Sequence, residues 1–267
     1  MIVDGKGIAE GVYEKLRERV RTLGRAPTLS IITCAPTFET QKYLALKKRK
    51  ASEVGIDVNL IELDPSSTTD DFIACMDGVA PRSDGLIVQL PIPPHVDVDQ
   101  VLRGVPVEKD VDALNPRSDA LSSPVVGAFR EILRVHNVPI EGKRVTVVGR
   151  GRLVGLPSER WFTREGAKVS VVTRDSGDLK EALIEADIIA SGAGVPGLIT
   201  SDMLKDHVVL LDAGTSEEGG ELRGDADPEC REKAALFTPV PGGVGPVTIA
   251  ILLSNVVDCA LKKERML

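Results

Sequence analysis

Apolar positions recur along the chain with two alternating periods. Over residues 8–22, Ile8, Val12, Leu16 and Val20 repeat every four positions, the stripe of an amphipathic helix. Thr28–Cys34 (T-L-S-I-I-T-C) switches to a β-rich run. Gln41–Val54 returns to helical spacing on a lysine-rich segment closed by Gly55. Val58–Leu63 predicts a second strand, and Thr69–Val79 a helix that Thr69 or Asp70 can cap. Gly85–Leu90 (G-L-I-V-Q-L) is a nearly continuous apolar strand running into P-I-P-P, and residues 97–103 predict a short helix.

A second series follows the same rhythm. It predicts a helix at Val125–Val135, a strand at Arg144–Val148, a helix at 156–165 and a strand at Lys168–Thr173. A helix at Leu179–Glu185, strands at Ile188–Ser191 and Val208–Asp212 and an apolar helix at Thr248–Lys263 complete it. Repeated βα units imply an α/β fold, with parallel sheets joined by right-handed crossovers. Between the two series, Asp112–Pro124 holds prolines and serines with no periodic pattern, and marks a domain boundary.

Composition narrows the partners. Only 3% of residues are aromatic, so the core is built from aliphatic side chains and base-stacking platforms are absent. The net charge of −7 argues against a nucleic-acid or anionic-membrane partner, while leaving room for a local phosphate site. Cys34, Cys75, Cys230 and Cys259 are widely spaced, which supports neither a metal site nor a disulfide framework and fits a reducing cytoplasm. The amino terminus has no targeting pattern, and no apolar run is expected to reach the roughly 18 residues of a membrane span.

Six places carry candidate chemistry. Gly149-Arg150-Gly151-Arg152-Leu153-Val154-Gly155 lies between a strand and a helix, the setting in which backbone N–H groups at a helix N-terminus hold a pyrophosphate. An ordinary glycine-rich turn would show the same letters. The next strand ends Thr173-Arg174-Asp175. Arg174 with Arg150 would clamp a 2′-phosphate and favour NADP, whereas Asp175 leaves NAD possible. Tyr43 and Lys47 share a helical face, and a lysine set against an apolar sheet can work as an acid or base. The plainer alternative makes Lys42, Lys47, Lys48 and Lys50 one solvated basic face. Gln89, amid aliphatics at the end of its strand, must find a hydrogen-bond partner. Of Asp110 and Asp112, one could face a ligand with amidine-like N–H donors, or both could serve turns and caps. P-V-P-G-G-V-G-P at 239–246 permits close backbone contact, either as a hinge or as the lining of a site.

Together these segments resemble the bifunctional methylenetetrahydrofolate dehydrogenase/methenyltetrahydrofolate cyclohydrolase family. The resemblance rests on Y-L-A-L-K-K-R-K at 43–50, D-G-L-I-V-Q-L-P-I-P at 84–93 and E-K-D-V-D at 108–112. It continues through V-V-G-R-G-R-L-V-G-L-P at 147–157, L-L-D-A-G-T at 210–215, G-D-A-D at 224–227 and T-P-V-P-G-G-V-G-P-V-T at 238–248. It implies oxidation of 5,10-methylenetetrahydrofolate with NADP⁺ and hydrolysis of the methenyl product to 10-formyltetrahydrofolate. A dehydrogenase with little cyclohydrolase activity, and a nucleotide-binding protein that kept only the fold, are the competing readings.

By resemblance, Lys47 is the general acid/base, Gln89 orients it, Asp112 binds the pterin edge and Tyr43 packs on the ring. Pro241, Gly242, Gly243 and Val244 would contact substrate. Gly149, Arg150, Gly151, Gly155, Thr173, Arg174, Gly192, Ala193, Gly214 and Thr215 would bind the cofactor. The expected architecture is a folate-binding domain of residues 1–118 plus 246–267 and a Rossmann-like NAD(P)-binding domain of 119–245, flanking one cleft in a homodimer. The chain departs from the family pattern in four places. Ala113 stands for a glycine after K-D-V-D, and the stretch that follows is shorter. Gly151 stands for a serine, and Thr173-Arg174 for His-Ser. A-P-T-F-E-T at 35–40 replaces Gly-Asp-x-Pro-Ala-Ser, keeping only the hydroxyl, at Thr40.

Overall fold

Each βα series builds its own parallel sheet. The computed structural model describes residues 1–118 and 123–265 and divides into two compact units. One unit holds Glu10–Pro124 and the residues from Ile249 onward; the other holds Met1–Ala9 and Val125–Thr248.

In the first unit, β1 (Thr28–Cys34), β2 (Asp57–Leu63) and β3 (Gly85–Val88) are parallel in the order β2-β1-β3. Helix α1 (Gly5–Thr22) precedes them, α2 (Phe38–Glu53) joins β1 to β2, and α3 (Thr69–Val79) joins β2 to β3. The two crossovers run in opposite directions along the sheet, so right-handed connections place α2 and α3 on opposite faces. One face packs Ile32, Cys34, Leu86 and Val88 against Phe72 and Met76 of α3 and Val101 and Leu102 of α4 (Val98–Gly104). The other face is closed by the last helix, α8 (Val244–Arg265). A β-carbon on Gly85 would lie 2.7 Å from Val111 and 3.1 Å from Val256. Asn255 donates to the Val111 carbonyl at 2.9 Å, and Arg19 of α1 bonds Ser254 and Asp258.

Local details correct the sequence reading. The cap of α3 is Thr68, not Thr69 or Asp70: its hydroxyl accepts the Asp71 N–H while Asp71 accepts the Thr68 N–H, a reciprocal capping box. Thr37 caps α2, which therefore begins at Phe38, ahead of the apolar stripe. Val244–Glu264 of α8 is long and apolar enough to cross a membrane by length and composition, its most apolar 18 residues having a mean hydropathy of 1.8, contrary to expectation. With 61% of that 18-residue window buried in the fold, it is apolar as a core helix is.

The second unit contains five parallel strands: β4 (Arg144–Val148), β5 (Lys168–Val172), β6 (Ile188–Ser191), β7 (Val208–Asp212) and β10 (Ala234–Phe237). Their order, β10-β7-β6-β4-β5, is that of a doubly wound sheet whose winding reverses between β4 and β6. Helices α5 (Pro124–Val135), α6 (Gly155–Arg164) and α7 (Leu179–Leu183) cover it. The hairpin of β8 (Ser216–Glu218) and β9 (Glu221–Arg223), and the edge strand β10, were not expected. Charge on both faces hides the hairpin, and β10 is too short to show a period.

Met1–Val3 runs beside β10, with Val3 N–H to Phe237 O at 2.8 Å and Phe237 N–H to Met1 O at 2.9 Å. The first nine residues thus join the second unit rather than the amino-terminal domain. The units divide after Pro124 and again after Thr248. Residues 119–122 of the expected boundary lie outside the described residues.

Candidate active site

The lysine helix is not one solvated face. Lys42 and Lys48 are exposed, and Lys50 pairs with Glu53. Lys47 turns inward, and its Nζ donates to Gln89 Oε1 at 2.8 Å. Gln89 sits one residue past β3 and anchors its own amide by donating Nε2–H to the Leu90 carbonyl at 2.8 Å, so its oxygen is held toward Lys47. Burial pushes the Lys47 amine below the ordinary lysine range, with Asp112 opposing. Burial likewise pushes the Asp112 carboxyl up, with Lys47 opposing. Tyr43 lies one turn before Lys47 on the same helix.

The two aspartates divide the roles the sequence left open. Asp110 is buried and structural: it bridges to Leu86 and accepts from the Asn115 N–H and the Ser118 hydroxyl, both at 2.7 Å. Asp112 makes no hydrogen bond to the described residues and is the charged group acting on Lys47. The first unit thus gathers an amine, a carboxamide and a carboxylate. All three belong to the end of the sheet where α/β ligands sit.

In the second unit the glycine loop follows β4 at the point where the winding reverses. Gly149 has φ +86°, and a β-carbon on Gly155 would lie 2.0 Å from the Gly149 carbonyl oxygen. A β-carbon on Gly149 would meet Gly192 O at 3.0 Å and Ala193 Cα at 3.1 Å, so the loops after β4 and β6 touch backbone to backbone. Bare backbone at the start of a ten-residue helix fits a dinucleotide pyrophosphate. Gly151 is exposed in that loop. Arg150 is engaged by Glu159 at 3.2 Å, whereas Arg174 is exposed past the end of β5. Thr173 bonds Ser176 through both its N–H and its hydroxyl.

Sequence reasoning overlooked two buried aspartates beneath these loops. Asp225 accepts from Ser191 Oγ at 2.6 Å, Ala193 N–H at 2.7 Å and Val195 N–H at 2.8 Å. Asp212 accepts from the Gly214 and Ala226 N–H groups, each at 2.9 Å. An acid ending the aliphatic run V-V-L-L-D was the available signal. Farther on, Gly243 N–H donates to Pro239 O at 2.7 Å and Gly242 takes φ +110° before α8 begins at Val244. Pro241, in cis, is exposed, while Gly243 and Val244 are buried.

Comparison with known proteins decides the family. Residues 3–112 match the catalytic domain, and 124–264 the NAD(P)-binding domain, of tetrahydrofolate dehydrogenase/cyclohydrolase. The chain belongs to the tetrahydrofolate dehydrogenase/cyclohydrolase family. The bifunctional protein FolD of Exiguobacterium sibiricum is 34% identical over 97% of this chain and 99% of its own. Among solved structures, the bifunctional FolD of Campylobacter jejuni superposes with a TM-score of 0.94 at 31% identity, covering 98% of this chain and 99% of that one. The Trypanosoma brucei methylenetetrahydrofolate dehydrogenase-cyclohydrolase, complexed with NADP and an inhibitor, also gives 0.94, at 34% identity over 99% of this chain and 98% of that one. Within this dehydrogenase/cyclohydrolase, Lys47, Gln89 and Asp112 lie in the part matching the catalytic domain, and the glycine loop in the part matching the NAD(P)-binding domain.

Proposed function

We propose that Lys47 is the acid/base of hydrolysis, that Gln89 orients it, and that Asp112 and Tyr43 hold the pterin. The observation that carries this reading is the 2.8 Å hydrogen bond from Lys47 to Gln89 beside Asp112. A lysine whose neutral form is favoured by burial can take a proton from water as the water oxygen bonds the methenyl carbon. The same proton then passes to the leaving ring nitrogen as the carbon–nitrogen bond breaks, giving 10-formyltetrahydrofolate. Asp112 suits the N–H edge of a pterin because no donor among the described residues occupies it. Pro241, Gly242, Gly243 and Val244 are assigned to the substrate as well.

NADP⁺ accepts the hydride in the preceding oxidation, and that step asks of the protein only positioning and electrostatics. Gly149, Arg150, Gly151 and Gly155 would hold its pyrophosphate, with Gly192, Ala193, Gly214 and Thr215 lining the neighbouring loops. Thr173 and Arg174 would meet the 2′-phosphate. The arginine after β5 and the NADP bound to the Trypanosoma brucei relative both favour NADP over NAD. A cytoplasmic homodimer is the proposed working form.

Lys47→Ala tests the assignment. Hydrolysis of methenyltetrahydrofolate, followed by its absorbance, is expected to fall to the rate in buffer, while NADP⁺-dependent oxidation of the methylene compound persists. Hydrolysis at the parent rate would refute it.

A further inference from the structure

Among the described residues, one buried side-chain oxygen or nitrogen has no hydrogen-bond partner, and it is Thr33 Oγ1. Thr33 is 1% exposed. Its strand, β1, runs parallel to β3 with Ile32 opposite Val88, and the ladder continues from Gln89 N–H to Ile32 O at 2.8 Å. One residue further along, Thr33 and Gln89 stand side by side on the same sheet face. That face is the one opposite the core of Ile32, Cys34, Leu86 and Val88. Lys47 bonds Gln89 there.

The other buried strand hydroxyls among the described residues are satisfied: Ser30 meets Ser83 at 2.6 Å, Thr146 meets Ser170 and the Ala182 carbonyl, and Ser191 meets Asp225. A buried hydroxyl without a partner is destabilising, and valine would fill the same space without that cost. Departures of this kind concentrate at working sites. Among the described residues the Lys47 amine has one hydrogen-bond partner, Gln89. Once protonated it presents three donors. Asp112 is the charged group that acts on it, and Tyr43 is the titratable neighbour on its own helix.

We infer that Thr33 is a positioning residue of the hydrolytic step, its hydroxyl accepting a hydrogen bond from protonated Lys47. The inference rests on Lys47 being the acid/base. The first water proton moves to Lys47 Nζ as the water oxygen bonds the methenyl carbon. The ammonium, held by Gln89 Oε1 and Thr33 Oγ1, then gives that proton to the departing ring nitrogen. The second water proton leaves to solvent as the formyl carbonyl forms. Thr33 therefore favours the charged form of Lys47.

The test is the pH profile of hydrolysis in Thr33→Val and Thr33→Ser. As Lys47 acts as a base, the rate rises with pH through its titration. Removing an acceptor from the ammonium shifts that limb to lower pH, by about one unit for Thr33→Val. Thr33→Ser keeps the acceptor and keeps the parent limb. Thr33→Val is also expected to melt at or above the parent temperature. A limb that stays in place in Thr33→Val, or that moves equally in both variants, overturns the inference. Should the valine variant fail to fold, Thr33→Ala is read the same way. Hydrolysis surviving in Lys47→Ala refutes the acid/base reading itself; hydrolysis lost there, with an unmoved Thr33→Val limb, refutes only the role of Thr33.

Discussion

Ala35 and Ala113 stand where the family pattern carries glycine, and both keep a glycine-like backbone, with φ +46° and +54°. An L-residue in the left-handed region carries strain of roughly 1–2 kcal/mol, which glycine relieves at the cost of extra freedom in the unfolded chain. Ala113 follows Asp112 directly, and its N–H bonds Asp110 O at 3.2 Å, so the surrounding turn enforces the conformation. Ala113→Gly is expected to raise stability by at most about 1 kcal/mol, read as a higher midpoint of denaturant unfolding. A lower midpoint would contradict this account of the turn. Gly155 is the opposite case: a β-carbon 2.0 Å from a backbone oxygen leaves the position no alternative residue.

At the scale of elements, the loops after β6 and β7 are tied from below by Asp225 and Asp212 rather than by their own glycines. Asp225→Asn leaves fewer acceptors for the Ala193 and Val195 N–H groups and the Ser191 hydroxyl. It is expected to weaken NADP⁺ binding about tenfold, near 1.4 kcal/mol, measured by titration. Methenyltetrahydrofolate hydrolysis assayed without nucleotide should stay at the parent rate, and parallel losses in both would reduce Asp225 to general stability. Most elements were legible because their apolar periods are strong: β1 and α3 match the sequence reading residue for residue. That Gln89 needs a partner was legible as well, since a glutamine among aliphatics must be satisfied, but that the partner is Lys47 was implied only by the family resemblance. Thr33 was not, because T-L-S-I-I-T-C is an unremarkable strand until the register sets it beside Gln89. The aspartate braces escaped too, because their partners are backbone N–H groups, which sequence does not display.

At the scale of the whole molecule, Asp212 links folding to pH. Burial, with Asp225 adding to it, pushes its carboxyl up to about 7, against about 3.9 in an unfolded chain. A raised carboxyl favours the folded protein fully below the unfolded value and loses that contribution as pH rises through the folded one. Stability is therefore expected to fall between about pH 4 and pH 7, by a few kcal/mol at most, and then to level off as far as this group is concerned. Thermal unfolding of Asp212→Asn against the parent across that window checks this, since the variant should lack the slope. The last helix acts on a different clock. Residues from Ile249 onward complete the unit that begins at Glu10, while the nucleotide-binding unit ends at Thr248. During synthesis, the segment carrying Lys47 is made early, yet one face of its sheet is covered only once the residues from Ile249 onward have followed. Until then the face of Gly85 and Val111 lacks its cover, so the earlier-made half is the later to fold and the one exposed to aggregation during synthesis.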